Sequence, residues 1–133
     1  MPPNVGFDSA NRILRFRLEG TVTDESISEC YRVIGKYAAL TAPSTGILDL
    51  SAVTLFQVSP ETIRKLADLP PAIPDPKLPR VIIAPSPHVF GIARMFEIQG
   101  QDTRLRLHVV STDKEAFAIL GIFEPHFEPV QSE

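Results

Sequence analysis

Apolar and polar positions along this chain switch repeatedly between a period of two and a period near 3.6, the pattern of strands alternating with helices. Val5 to Phe7 and Ile13 to Leu18 read as short extended segments separated by Asp8-Ser-Ala-Asn11, so the chain is expected to open with a hairpin. In the second segment Leu14, Phe16 and Leu18 alternate with Arg15 and Arg17, as in a sheet with one dry and one wetter face, and Gly20 is expected to break it. From Asp24 to Ala39, Ile27, Cys30, Tyr31, Ile34, Tyr37 and Ala38 fall at helical spacing, with Thr23 or Asp24 as the cap. Ile47-Leu-Asp-Leu50 then reads as a short buried strand feeding a loop that reaches Ser59. A second helix starts there. Ser59 suits the N-cap, Pro60 the first helical position and Glu61 the positive helix end, while Ile63, Leu66 and Ala67 make the inner face.

The stretch from Leu69 to Pro79 carries five prolines and is expected to be a stiff, extended connection. Arg80 to Ala84 is the next strand, and His88 to Gln99 a third helix stopped by Gly100. Leu105, Leu107 and Val109 alternate with Arg104, Arg106 and His108, which predicts a half-exposed edge strand. Thr112-Asp-Lys-Glu115 opens a last helix ending at Gly121. This alternation predicts one α/β domain over residues 1–121, with a mixed, mainly parallel central sheet of about four to five strands and about four helices. Residues 122–133 are expected to form a C-terminal tail whose composition leans towards mobility.

Composition narrows the function classes more than it selects one. A chain of 133 residues is a normal single domain, able to bury roughly two thirds of its unfolded surface. The single Cys30 excludes an intramolecular disulfide and a thiolate zinc site, and it reads as a small core residue. A net charge of -3 argues against a surface built to hold nucleic-acid phosphates. No apolar run approaches the roughly 20 residues of a membrane span, and Met1-Pro-Pro-Asn-Val5 lacks the features of a secretory signal, so a cytoplasmic location is expected. His88, His108 and His126 are well separated, and no metal or cofactor is expected. Asp49 ends a buried strand with Ser51, Ser59 and His88 as conceivable company, yet no nucleophile elbow accompanies them; a carboxylate bonding the following turn is the simpler reading. Pro71 to Pro74 and Pro76 to Pro79 have the spacing of extended-peptide ligands but sit between two fold elements, which favours a structural loop.

Several of these segments carry a resemblance. Gly20-Thr-Val-Thr-Asp24 before one helix, Gly46-Ile-Leu-Asp-Leu-Ser-Ala-Val53 before the next and Val81-Ile-Ile-Ala84 before a third resemble the SpoIIAA-like, STAS-type family, over nearly the whole chain from Val5 to Gly121. Phe90-Gly-Ile-Ala-Arg-Met-Phe-Glu97 and Asp113-Lys-Glu-Ala-Phe-Ala-Ile-Leu120 are similar to a bacterial SpoIIAA-like branch. The resemblance implies a regulatory module in which a serine at the start of the second helix is phosphorylated to switch binding of a partner kinase. Ser59 matches that position. Around it the family has an aspartate, a second serine and a following glycine, where this chain has Gln57, Val58 and Pro60. A second branch resembles the Sec14-type lipid carriers, whose helices cover an apolar cavity beside the sheet.

The third helix bears on that choice. Val89, Ile92, Ala93 and Phe96 form one apolar stripe, and Phe90, Met95 and Ile98 extend it around most of the circumference. The surplus can meet a second subunit, line a ligand pocket or lie under the chain's own loops. Arg15, Arg17, Arg104 and Arg106, with Arg80, can make an anion-binding face if their strands are neighbours; otherwise they are solvated sheet arginines. The expectation is a non-catalytic regulatory protein–protein interaction module that forms a homodimer, with no enzyme activity. The alternative is a carrier or sensor of an apolar or amphipathic ligand.

Overall fold

The computed structural model describes residues 4–104 and 106–130. An opening hairpin of β1 (Asn4–Asp8) and β2 (Ile13–Thr23) leads through α1 (Asp24–Thr41) to β3 (Thr45–Gln57). The chain continues through α2 (Pro60–Asp68), β4 (Arg80–Ile83), α3 (Pro87–Gln99) and β5 (Leu107–Val110), and closes with α4 (Asp113–Leu120) and a two-residue β6 (Glu128–Pro129). One sheet results, in the order β5-β4-β3-β2-β1-β6. Strands β2 to β5 are parallel neighbours, whereas β1 runs antiparallel to β2 and β6 antiparallel to β1. Because β2, β3, β4 and β5 are laid down in one direction across the sheet, right-handed crossovers put α1, α2 and α3 on one face. Nothing parallel follows β5, so α4 covers the other face and the chain recrosses to the far edge.

Period-two alternation divides each strand between two cores. Leu14 and Phe16 of β2, Leu50 of β3, Ile82 of β4 and Leu107 of β5 face α1, α2 and α3. Ile13, Ile47, Val81, Ile83 and Val110 face α4, where Ala116, Leu120 and Ile122 meet them. Helix starts follow their caps: Thr23 and Ser26 form a capping box on α1, and Ser59, Ser86 and Thr112 each accept an amide hydrogen bond at the head of α2, α3 and α4.

Four elements differ from the sequence expectation. Gly20 does not break β2; it takes φ +71° where the β2–β3 register shifts, so its freedom accommodates a bulge and the strand continues to Thr23. β3 does not stop at Leu50, since pairing with the long β2 carries it to Gln57. The edge strand begins at Leu107, leaving Arg104 outside it, and Leu105 lies outside the described residues. The expected tail is a correction too. Ile122 is buried, Phe127 packs under the sheet, and Val130 donates its amide to Val5 O at 3.1 Å, so the domain extends at least to Val130 and the sheet gains a sixth strand; Gln131 to Glu133 lie outside the described residues.

Candidate functional site

The head of α2 is built by a contact across 35 residues of chain. The Ser59 amide donates to Asp24 Oδ1 at 2.7 Å, and Ser59 Oγ accepts from the Thr62 amide at 3.2 Å and bonds Thr62 Oγ1 at 3.1 Å. Asp24 is the first residue of α1, so one carboxylate sits at the positive ends of two helices. The Ser59 amide, above all, holds the Asp24 carboxyl below its ordinary range; hydroxyl bonds from Ser59 and Thr62 and the charge of Lys65 act the same way, against partial desolvation. Ser59 itself is half-buried. The corner therefore presents a hydroxyl among helix-start amides, beside a fixed negative charge.

Along α3, Val89 and Ala93 are buried, and Phe90, Ile92 and Phe96 pack against the core of the three-helix face. Met95 is half-buried and Ile98 is 56% exposed. Most of the apolar circumference therefore meets the protein itself, and the outward remainder is the edge at Ile98.

Between that helical layer and the sheet lies a cavity of about 180 Å³. Its floor includes Phe16, Leu50 and Ile82, its roof Ile27, Cys30 and Ala93. The proline-rich segment supplies a wall through Pro71, Ala72 and Ile73, and is far from a free linker. Tyr31 donates its hydroxyl to Pro70 O, Thr45 Oγ1 donates to Pro79 O at 2.7 Å, and Arg80 donates to Ile73 O at 2.8 Å. Gly46 lets Ile73 close down: a Cβ there would stand 3.0 Å from Ile73 Cδ1. Burial pushes the Cys30 thiol of the roof up to about 12, so it stays protonated at neutral pH.

The expected arginine cluster divides. Arg15 and Arg17 point to the α4 side of β2, where they line a cleft with Asp49, Ser51 and the Ser111–Asp113 turn. Arg15 lies 4.6 Å over the Phe127 ring and Arg17 approaches Glu19 at 4.0 Å. Arg104 is on the opposite face, buried in the cavity wall, and Arg106 is exposed with φ +62°. Two intervening strands separate β2 from β5, so no four-arginine face exists. Asp49 accepts from the Ser51 amide at 2.9 Å, but β3 runs on past both residues, so the bond lies within the strand and not in the turn expected there; His88 Nε2 meets Phe56 O at 3.3 Å. Among the described residues no group of His, Cys, Asp or Glu is placed to hold a metal ion, and no helix is long and apolar enough to cross a membrane.

Pattern reading placed Ser59 but missed its partner Asp24, and it treated Cys30, Leu50 and Ala93 as ordinary core. An acidic residue directly after a helix cap was the available sign for Asp24; for the cavity wall, helical spacing marks burial without saying what fills the space.

No family model and no curated protein matches the sequence. The chain is similar in structure to the anti-sigma factor antagonist SpoIIAA in its unphosphorylated form, at a TM-score of 0.57 and 12% identity over 92% of this chain and 100% of that one. It is also similar to the Bacillus cell fate determinant SpoIIAA in the phosphorylated form, at a TM-score of 0.50 and 16% identity over 88% of this chain and 97% of that one. The fold is thus the SpoIIAA, STAS-type fold, with β6 added to the expected strand count.

Proposed function

We propose that this chain is a non-catalytic regulatory module that binds another protein at the α1–α2 corner, with Ser59 as a phosphorylation switch. The observation that carries the reading is Ser59 as a half-buried N-cap, its amide on Asp24, in a SpoIIAA fold. A phosphate on Ser59 would find helix-start amides to accept from. It would also add negative charge beside Asp24, so modification and the Asp24 contact compete for the same corner. The reading borrows its partner class from the similar structures, described as an anti-sigma factor antagonist in unphosphorylated form and a cell fate determinant in phosphorylated form. Carried here, the partner is a protein of the anti-sigma type, and self-association belongs to the α3 edge at Ile98.

Native mass spectrometry of protein purified gently from its source reads subunit number, retained ligand and covalent phosphate together. The expected result is a dimer with phosphate mapping to Ser59. Against a captured partner, Ser59→Asp and Ser59→Ala should differ at least tenfold in affinity; equal affinities remove the switch. Ile98→Glu should give a monomer, and an unchanged dimer removes the α3 edge.

The cavity favours a second reading, a carrier or sensor of an apolar or amphipathic small molecule. Native cores leave few voids larger than a water molecule, and this one is far larger. A discrete non-covalent excess mass in the same spectrum, reduced in occupancy in Ala93→Leu, supports it. An empty protein whose ligand-free state is unaffected by detergent-free lipid extracts opposes it.

A further inference from the structure

The cavity contains a charge that its wall does not balance. Arg104 lines it and is only 8% exposed. Its Nη1 donates to Ala67 O at 3.1 Å and its guanidinium lies 4.9 Å over the Phe96 ring, yet among the described residues no carboxylate comes within ion-pair distance. Burying a cation is costly unless an anion and hydrogen-bond acceptors complete it, and a guanidinium carries five N–H donors in a fork that matches carboxylate or phosphate oxygens. Burial is the main cause that holds this guanidinium below the usual arginine range; the nearby Arg80 cation adds to it, while Tyr31 opposes it. Arg80 lines the same cavity. The site thus combines an apolar interior with a cationic corner. At about 180 Å³ the cavity is on the scale of an apolar chain rather than of a single buried water.

We propose that the cavity binds a single-chain amphiphile with an anionic head, of the size of a medium-chain carboxylate, its head group paired with Arg104 and its tail lying among Ile27, Cys30, Leu50, Phe56 and Ala93. This assignment rests on the carrier reading above and gives it a ligand class. It makes the buried arginine a recognition group and the proline-rich wall a cover.

Isothermal titration of the full chain with decanoate and with decanol, both below their aggregation concentrations, tests it. Decanoate is expected to bind saturably and at least tenfold more tightly than decanol. Arg104→Gln should abolish that preference, and Ala93→Leu, which narrows the cavity, should weaken binding of both. Equal affinity for the acid and the alcohol in the unmodified protein overturns the anionic assignment and leaves the carrier reading standing, a comparison that does not depend on any variant folding. Failure of both ligands to bind overturns the two together, and so does binding that Ala93→Leu leaves unchanged.

Discussion

Beneath α4, Ile13 and Ala116 are fully shielded, Val81 is 1% exposed, and the apolar side chains meet one another. Across the sheet, Leu14, Phe16 and Ile82 are shielded as well, but they line a cavity of about 180 Å³. Burial alone does not distinguish the two faces; what differs is how completely the layer above the sheet fills the space over it. The α4 face is therefore the more closely packed of the two, and the three-helix face retains a space that contact between its own residues does not fill.

The comparison breaks first at Ile13. Truncation to alanine on the tight face should cost about 2–5 kcal/mol, because nothing nearby can collapse into the gap; urea unfolding midpoints at constant slope measure it. A cost below about 1 kcal/mol would mean that the α4 face is as loosely packed as the other. Next come two identical substitutions on opposite faces. Ala116→Leu forces a larger side chain into a fully shielded position and should destabilise by about 1–3 kcal/mol. Ala93→Leu points the same added atoms into the cavity and should stay within about 0.5 kcal/mol of the parent protein. Equal costs would remove the distinction between the faces.

Cys30 sharpens the comparison chemically, since it belongs to the cavity roof and its thiol is pushed up to about 12 by burial. The folded state keeps the proton more tightly than the unfolded chain. Its contribution to stability is therefore complete below the unfolded pKa near 9 and is lost as pH rises from there towards 12. Cys30→Ala should flatten this alkaline loss, as read from melting temperature against pH. Alkylation of the folded protein at pH 8 should run about a thousandfold slower than in denaturant, reflecting the thiolate fraction. Rapid modification would show that the helical layer opens readily.

Why the strand faces and helix starts are legible in the sequence and the cavity is not follows from particular residues. Alternation of Leu14, Phe16 and Leu18 with Arg15 and Arg17 assigns sides of a strand, and Ser59-Pro60-Glu61 announces a helix start, because both are local in sequence. A cavity is a sum over helices and strands far apart in the chain. Cys30, Leu50 and Ala93 are apolar whether the space between them is full or empty. Arg104 was misplaced for a related reason. The alternation through His108 continues a strand pattern back past Leu107, where the strand starts, and so gave a solvated side to a residue that folds into the core. The tail was misjudged because Ile122, Phe127 and Val130 are sparse among polar neighbours, and their value comes from the edge that β1 leaves open.

The smallest expected effect concerns how the helical layer is held where packing is incomplete. Asp24 ties α1 to the head of α2 through the Ser59 amide, and that bond lowers its pKa. Asp24→Asn keeps an acceptor in place and removes only the charge. A carboxyl with a depressed folded pKa contributes stability above its unfolded value near 3.8, and this is lost as pH falls through the folded one. The parent protein should therefore melt slightly above Asp24→Asn at pH 7, with the difference closing below pH 3.8 as Asp24 takes up its proton. Adding Ser59→Asp should reverse the sign of the charge effect at neutral pH, because two carboxylates then share one corner and neutralising either relieves repulsion. If the Asp24→Asn difference is the same in both backgrounds, the two positions are not coupled, and the corner joins the helices without being able to switch them.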